Sequence, residues 1–285
     1  MDFQSIWKSV TDANSLPFIS AISGGFFGAL GGFFIGLFGQ RRLAFIAELN
    51  SVRTALTLSI SVCSTHCVVK KQLIRPLHEG YVQHVQSLDR FLQQHAAGQM
   101  SAESRFQFQA DLRSIPTIDL PYDLLRGLVL DKTSAPTRAV MAALDLAKTA
   151  NILNLSIEQR NTLLQEMRAV QGDNQETFYL KYLAYPSPSG QVDARYKDIM
   201  NAVNSYNNDC IFYAHQLYDD LVKYGNKRRS KRFRLFASIR PLPVADWSKA
   251  VNDRLMPSND DYAGWLSDFK EPTERFPWVR RLFGR

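Results

Sequence analysis

From Ala13 to Gln40 the chain carries no charged side chain, and between Pro17 and Phe38 it is dominated by Phe, Ile, Leu, Ala and Gly. A stretch of this kind has few ways to be stable in water. As a helix, Pro17 to Gly39 is roughly 34 Å long, enough to cross a hydrocarbon core of about 30 Å. The pattern therefore predicts one transmembrane helix over 17–39. A cleaved signal peptide is the rival reading, but Asp2, Lys8 and Asp12 precede the run in place of a basic segment, and no small-residue cleavage site follows it. Arg41 and Arg42 come directly after the run, against Lys8 alone before it, so the positive-inside bias predicts a cytoplasmic C-terminal side. Residues 1–16 are then a short extracytoplasmic N-terminus, and the expected location is the inner membrane of a bacterium.

Within the anchor Gly24, Gly28, Gly32 and Gly36 recur every fourth residue, with Ser20 one step earlier and a parallel stripe of Ala21, Gly25 and Ala29 beside them. Small residues at this spacing let helix backbones approach closely, so Ser20, Gly24, Gly28, Gly32 and Gly36 are the candidate oligomerisation residues of a homo-oligomer. High glycine content is also common in membrane helices, which is the plainer explanation of the stripe.

The remainder reads as an all-α domain. Leu43, Ile46, Leu49, Val52, Leu56 and Ile60 continue the helical spacing past Arg42, so the anchor is expected to run on into a long helix that Pro76 kinks or breaks. Residues 54–69 are uncharged and short, rich in Ser and Thr, and carry His66. They are read as a buried core helix, with a second membrane span as the alternative. A further helix from Leu77 to about His95 should end near Gly98, completing membrane-proximal helices over 40–100. Pro116, Pro121 and Pro136 punctuate short segments of a helical domain over 101–226. Ser134 predicts a helix start running to about Asn154, and Ser156 with Gln159 resembles a capping box opening another helix to about Val170. Tyr185-Pro-Ser-Pro-Ser-Gly190 reads as a loop, and Tyr196 to Tyr224 as one long amphipathic helix. Nothing alternates with period two over strand length, so little or no sheet is expected.

The formal net charge is +7, yet Lys223, Lys227, Arg228, Arg229, Lys231, Arg232, Arg234 and Arg240 supply eight positive charges in a stretch without an acid. The basicity is therefore local. Lys227, Arg228, Arg229, Lys231, Arg232 and Arg234 are candidates for contact with an anionic membrane surface or, less favoured, with nucleic acid. They open a basic-aromatic C-terminal segment, 227–285. Cys63, Cys67 and Cys210 form an odd set without disulfide-like spacing, which fits a reducing compartment.

Phosphate-loop, serine-hydrolase and zincin patterns are missing from the sequence, so no cofactor or metal is expected. Cys63, His66 and Cys67 share a helical face but are read as core residues, because a closed zinc site takes a fourth ligand and usually two elements. Arg90 and His95 form an R-x4-H spacing that resembles the catalytic motif of the HEPN family of all-helical ribonucleases, with Phe91 where that family usually carries a polar residue. The resemblance implies RNA cleavage by an Arg and a His that meet across a dimer, and makes Arg90 and His95 weak catalytic candidates.

The reading these features favour is a membrane-anchored, self-associating helical protein acting without catalysis as a sensor, scaffold or partner-binding module. Its partners would be the bilayer, further copies of itself and a cytoplasmic protein. A membrane-permeabilising effector of a defence or toxin-like system is the alternative, and a membrane-tethered HEPN-like RNase the second.

Overall fold

The computed structural model describes residues 16–101, 103–171, 175–187, 189–230 and 240–269. Helix accounts for 76% of the described residues, and no strand occurs among them. Helix α1 spans Leu16–Val69; one turn of π-helix, Lys70–Ile74, joins it without a break to α2, Arg75–Ala96. Pro76 was expected to kink or break this helix; the helix is not broken there, and the π-turn is why. The Arg75 N–H bonds back to the Lys70 carbonyl, five residues away. This wider turn relieves the clash that a proline ring makes with the preceding turn of an ordinary α-helix. At the far end Gly98, with φ +67°, closes α2: its N–H bonds to His95 O and that of Gln99 to Gln94 O, the paired pattern for which a left-handed residue is required.

Four further helices complete the bundle: α3, Tyr122–Lys132; α4, Thr137–Gln171; α5, Gln175–Leu183; and α6, Arg195–Ser230. The sequence pattern split α4 in two at Ser156. Ser156 is instead a buried interior residue whose hydroxyl donates to Ile152 O, one turn back at 2.9 Å, so the apparent capping box lies mid-helix.

Helix α6 runs antiparallel to α1 and its continuation α2, as the succession of contacts Glu48 to Arg228, Val52 to Gly225, His66 to Asn207 and His78 to Asn201 records. It runs antiparallel to α4 as well, from Arg138 with Asp220 at one end to Arg160 with Tyr196 at the other. One core draws on all of these helices, with Leu56, Val62, Ile74, Leu125, Leu146, Leu153, Ile157, Leu164, Val203 and Leu217 inside it. Residues 54–69 belong to that core: Ala55, Leu56, Ser59, Val62, Cys63 and His66 are fully buried.

An extended segment between α2 and α3 is held by α4 through a spacing match. Asn154 bonds both the N–H and the C=O of Ile118, at 2.9 and 3.0 Å, and Asn161 does the same to Ile115, at 3.1 and 2.7 Å. Arg168 then donates to Leu112 O. Seven helical residues rise about 10.5 Å and three extended residues cover about 10 Å, so side chains seven apart on α4 meet every third peptide of the strand-like segment. Asn161→Leu removes two bonds and strands a buried peptide, so a loss of about 2 kcal/mol in chemical denaturation is expected. An exposed change such as Glu158→Gln should stay within about 0.5 kcal/mol.

From residue 240 a strap of chain runs along α1. Arg53 donates to Pro241 O at 2.6 Å, and the short helix α7, Ser248–Asn252, is followed by a turn whose carbonyls face the π-turn. There Lys70 Nζ donates to Leu255 O at 2.8 Å, Arg75 to Asp253 O at 2.9 Å and to Arg254 O, and Lys71 pairs with the Asp253 carboxylate at 2.7 Å. The carbonyls of Lys249, Ala250 and Val251 within α7 accept the N–H groups of Asp253, Leu255 and Arg254, and the cations take the carbonyls that come just after the helix. The strap then crosses α6 and α4: Tyr262 stacks on Phe212 at 3.7 Å and donates to Asp209, and the Trp265 indole donates to Asp145 at 2.9 Å.

Candidate functional site

Among the described side chains of α1, the first buried one is Leu49. Before it the helix leaves the bundle, and Phe26, Phe33, Phe34, Ile35, Phe38 and Leu43 are all more than half exposed, Ile35 to 75%. In water that much contiguous apolar surface is costly, at about 25 cal/mol per Å². The helix Gly28–Ala96 is long and apolar enough to cross a membrane by length and composition, though the apolar stretch that meets this test is 44% buried in the bundle and so lies beyond the projecting part. The other helix that meets this test, Thr137–Ala169, lies within α4, whose inner face is taken up by the core. Ser20, Gly24, Gly28, Gly32 and Gly36 all fall on α1. A Cβ added at Gly28, Gly32 or Gly36 would meet nothing within 4 Å, so the fold of one chain gives no reason for glycine at these positions.

Where α1 enters the bundle, Glu48 gathers three elements. It accepts from the Tyr224 hydroxyl and from Arg228 of α6, and from the N–H of Ser134, in the turn between α3 and α4, at 3.1 Å. Burial works against the Glu48 carboxylate, but these donors together outweigh it and hold its carboxyl below the usual range. This node ties the exiting helix to the ends of α3 and α6. The sequence held a signal for it: Glu48 is the only acid between Asp12 and Glu79. Beside it Gly225 packs so closely that an added Cβ would lie 3.1 Å from Val52 Cγ1 and 2.6 Å from Leu242 Cδ1, so here glycine sets the approach of α6 to α1 and the strap.

The basic tract lies at the same end. Lys227, Arg228 and Arg229 form the last turn of α6; Lys231, Arg232 and Arg234 lie outside the described residues. Arg90 and His95 both sit exposed on α2, roughly 140° apart around the helix. Arg90 folds back onto its own helix, donating to Gln86 O and Ser87 Oγ, both at 3.3 Å, so one chain does not bring the pair together.

Cys63, His66 and Cys67 are buried between α1, α6 and α3. The His66 Nδ1–H donates to Asn207 Oδ1 at 2.9 Å, and Nε2 accepts from the Tyr122 hydroxyl at 2.7 Å, so both ring nitrogens are engaged by protein. Among the described residues no cluster of three metal-ligating side chains occurs. Burial lowers the His66 pKa to about 4, against a smaller opposing effect of Asn207. The unfolded chain, with an ordinary histidine near 6.5, then binds the extra proton first, so stability present above pH 6.5 is lost as pH falls toward 4. A decline of about 3 kcal/mol across that window is expected in denaturation of the parent. His66→Gln should flatten it; an equally steep decline in that variant would locate the effect elsewhere.

Sequence reasoning missed Arg160. It is wholly buried, donating to Arg113 O at 2.9 Å and lying over the Tyr196 ring, within an aromatic cluster of Tyr81, Phe108, Phe178 and Tyr182. Its position on α4 looks like any other surface arginine in the sequence.

The fold and its exit end define an all-helical protein with a projecting apolar helix. Comparison with protein-family models, with curated proteins and with solved structures found no match to this chain.

Proposed function

We propose that this chain is a membrane-anchored, self-associating helical protein that works as a non-enzymatic sensor, scaffold or partner-binding module at a bacterial inner membrane. The observation that carries the reading is the projecting part of α1, where large apolar side chains stand exposed up to Leu43 and burial begins only at Leu49. A bilayer removes the cost of that surface. The bundle behind it has a continuous core, and Arg41 and Arg42 at its exit end support, through the positive-inside bias, a cytoplasmic bundle with the N-terminus outside. Oligomers form through the stripe of Ser20, Gly24, Gly28, Gly32 and Gly36, and the bundle is left to engage a cytoplasmic protein.

Reporter fusions after Arg285 test the topology. A cytoplasm-active reporter should work and a periplasm-active one should be silent. An active periplasmic reporter would invert the orientation and reject the cytoplasmic bundle.

A further inference from the structure

The exit end of the bundle collects more positive charge than the sequence tract alone contains. Helix α6 descends antiparallel to α1, so Arg229 sits one step nearer Arg41 than Arg228 does. Helix α3 descends beside them and delivers Lys132, because the next turn is pinned to Glu48 and Tyr224 through the Ser134 N–H, at 3.1 and 3.2 Å. Arg41 and Arg42 from α1, Lys132 from α3, and Lys227 and Arg229 from α6 thus share one end, from three separate parts of the sequence. The acids described there do not cancel Arg41, Lys132 and Arg229. Glu48 is held by Arg228, Asp220 by Arg138, and the exposed Asp131 remains. Arg41, Lys132 and Arg229 form no ion pair among the described residues.

From this juxtaposition we propose that the exit end is a docking platform for anionic phospholipid headgroups, on which the bundle is seated against the inner leaflet. The proposal rests on the anchoring reading and adds the chemistry of the surface engaged. Three arguments support this occupant. The platform is continuous with the apolar helix, so a bilayer holding that helix already faces these cations. The spacing also fits: Arg229, one step past the partner of Glu48, stands about 12 Å beyond Gly39 along the axis, and a headgroup layer of roughly 6 Å with one extended arginine covers that distance. Finally, the cations stand at the base of a protruding helix, which a lipid surface can surround. A nucleic-acid duplex would have to lie across that helix.

The test uses the full chain in nanodiscs, made either of phosphatidylcholine alone or with phosphatidylglycerol added. Amide hydrogen exchange is followed at the turn after α3, residues 133–138, and in the last turn of α6. Exchange at both places should slow by about fivefold or more in the anionic discs, since one cation near such a surface contributes roughly that factor. The slowing should weaken at high salt. In a variant combining Arg41→Gln, Lys132→Gln and Arg229→Gln it should vanish, while exchange in the core of α4 stays as in the parent. Equal exchange in the two kinds of disc, or slowing that survives the triple substitution, overturns the platform and leaves the anchor standing. Slowing produced by added RNA in zwitterionic discs, without an effect of phosphatidylglycerol, overturns it in favour of nucleic acid. A chain that enters neither disc ends the anchoring reading and this proposal with it.

Discussion

Changing Gly28 and Gly32 together to leucine is expected to abolish cross-linked oligomers in the membrane while leaving insertion and the helical bundle unaffected. Both positions lie in the part of α1 that projects before Leu49, and a side chain added at either meets nothing within 4 Å. The protomer therefore has nothing to lose, and leucine favours helix over glycine by about 1 kcal/mol per site. Lipid is as apolar as leucine, so partition into the bilayer is preserved. Only a second helix packed on the stripe would feel the change, because dispersion contacts weaken by a quarter to a half when separation grows by about an ångström. Loss of oligomer should bring loss of any activity that depends on assembly. Leucine at Phe26 and Phe33, off the stripe, should be much milder. Cross-linking of the double variant at the parent's level would show that the stripe is background glycine and that any oligomer is built by the bundle.

Arg138→Met is expected to destabilise the bundle by about 3 kcal/mol, the largest effect of a single substitution outside the anchor. The first turn of α4 and the lower part of α6 are joined by the Arg138 guanidinium on the Asp220 carboxylate, with Nε at 2.8 Å from Oδ2. The Asp220 side chain is 5% exposed, so removing its cation leaves a buried charge with no counterion. Methionine keeps most of the apolar stem, which confines the effect to the pair. Arg113→Met, which breaks the pair with Asp111 where both side chains are well exposed, should cost under about 1 kcal/mol. Chemical denaturation of the solubilised chain measures both. Adding Asp220→Leu to Arg138→Met should recover much of the loss, because the uncompensated charge goes with it. Equal effects of the Arg138 and Arg113 substitutions would refute this account of the pair.

Periodicity and charge made much of the architecture legible. Helix α6 was readable because Tyr196, Val203, Cys210, Leu217 and Leu221 recur at helical steps and form the face that is buried. The end of α2 was readable because Gly98 takes a positive φ that other residues rarely adopt. Pro76 and Ser156 misled for a common reason. Each obeys a local rule that holds when a helix end is free, and each sits where tertiary packing continues the helix, through a π-turn at Pro76 and as a buried interior turn at Ser156. Local preferences of about 1–3 kcal/mol are small beside the burial of a 35-residue helix such as α4.

The sequence by itself determined that an uncharged run of membrane length precedes a helical domain, that small residues stripe that run, and that positive charge concentrates late in the chain. These properties depend only on spacing along one helix or on local composition. Tertiary structure alone decided which charges meet. Glu48 finds Arg228 across 180 positions and Lys70 finds the Leu255 carbonyl across 185, pairings set by the antiparallel path of α6 and the return of the strap. It also decided that Arg41, Lys132 and Arg229 share one end of the bundle. The physical reason is that charge attraction acts through space over about a Debye length, so residues far apart in sequence act together only once the packed core has fixed where the helices end.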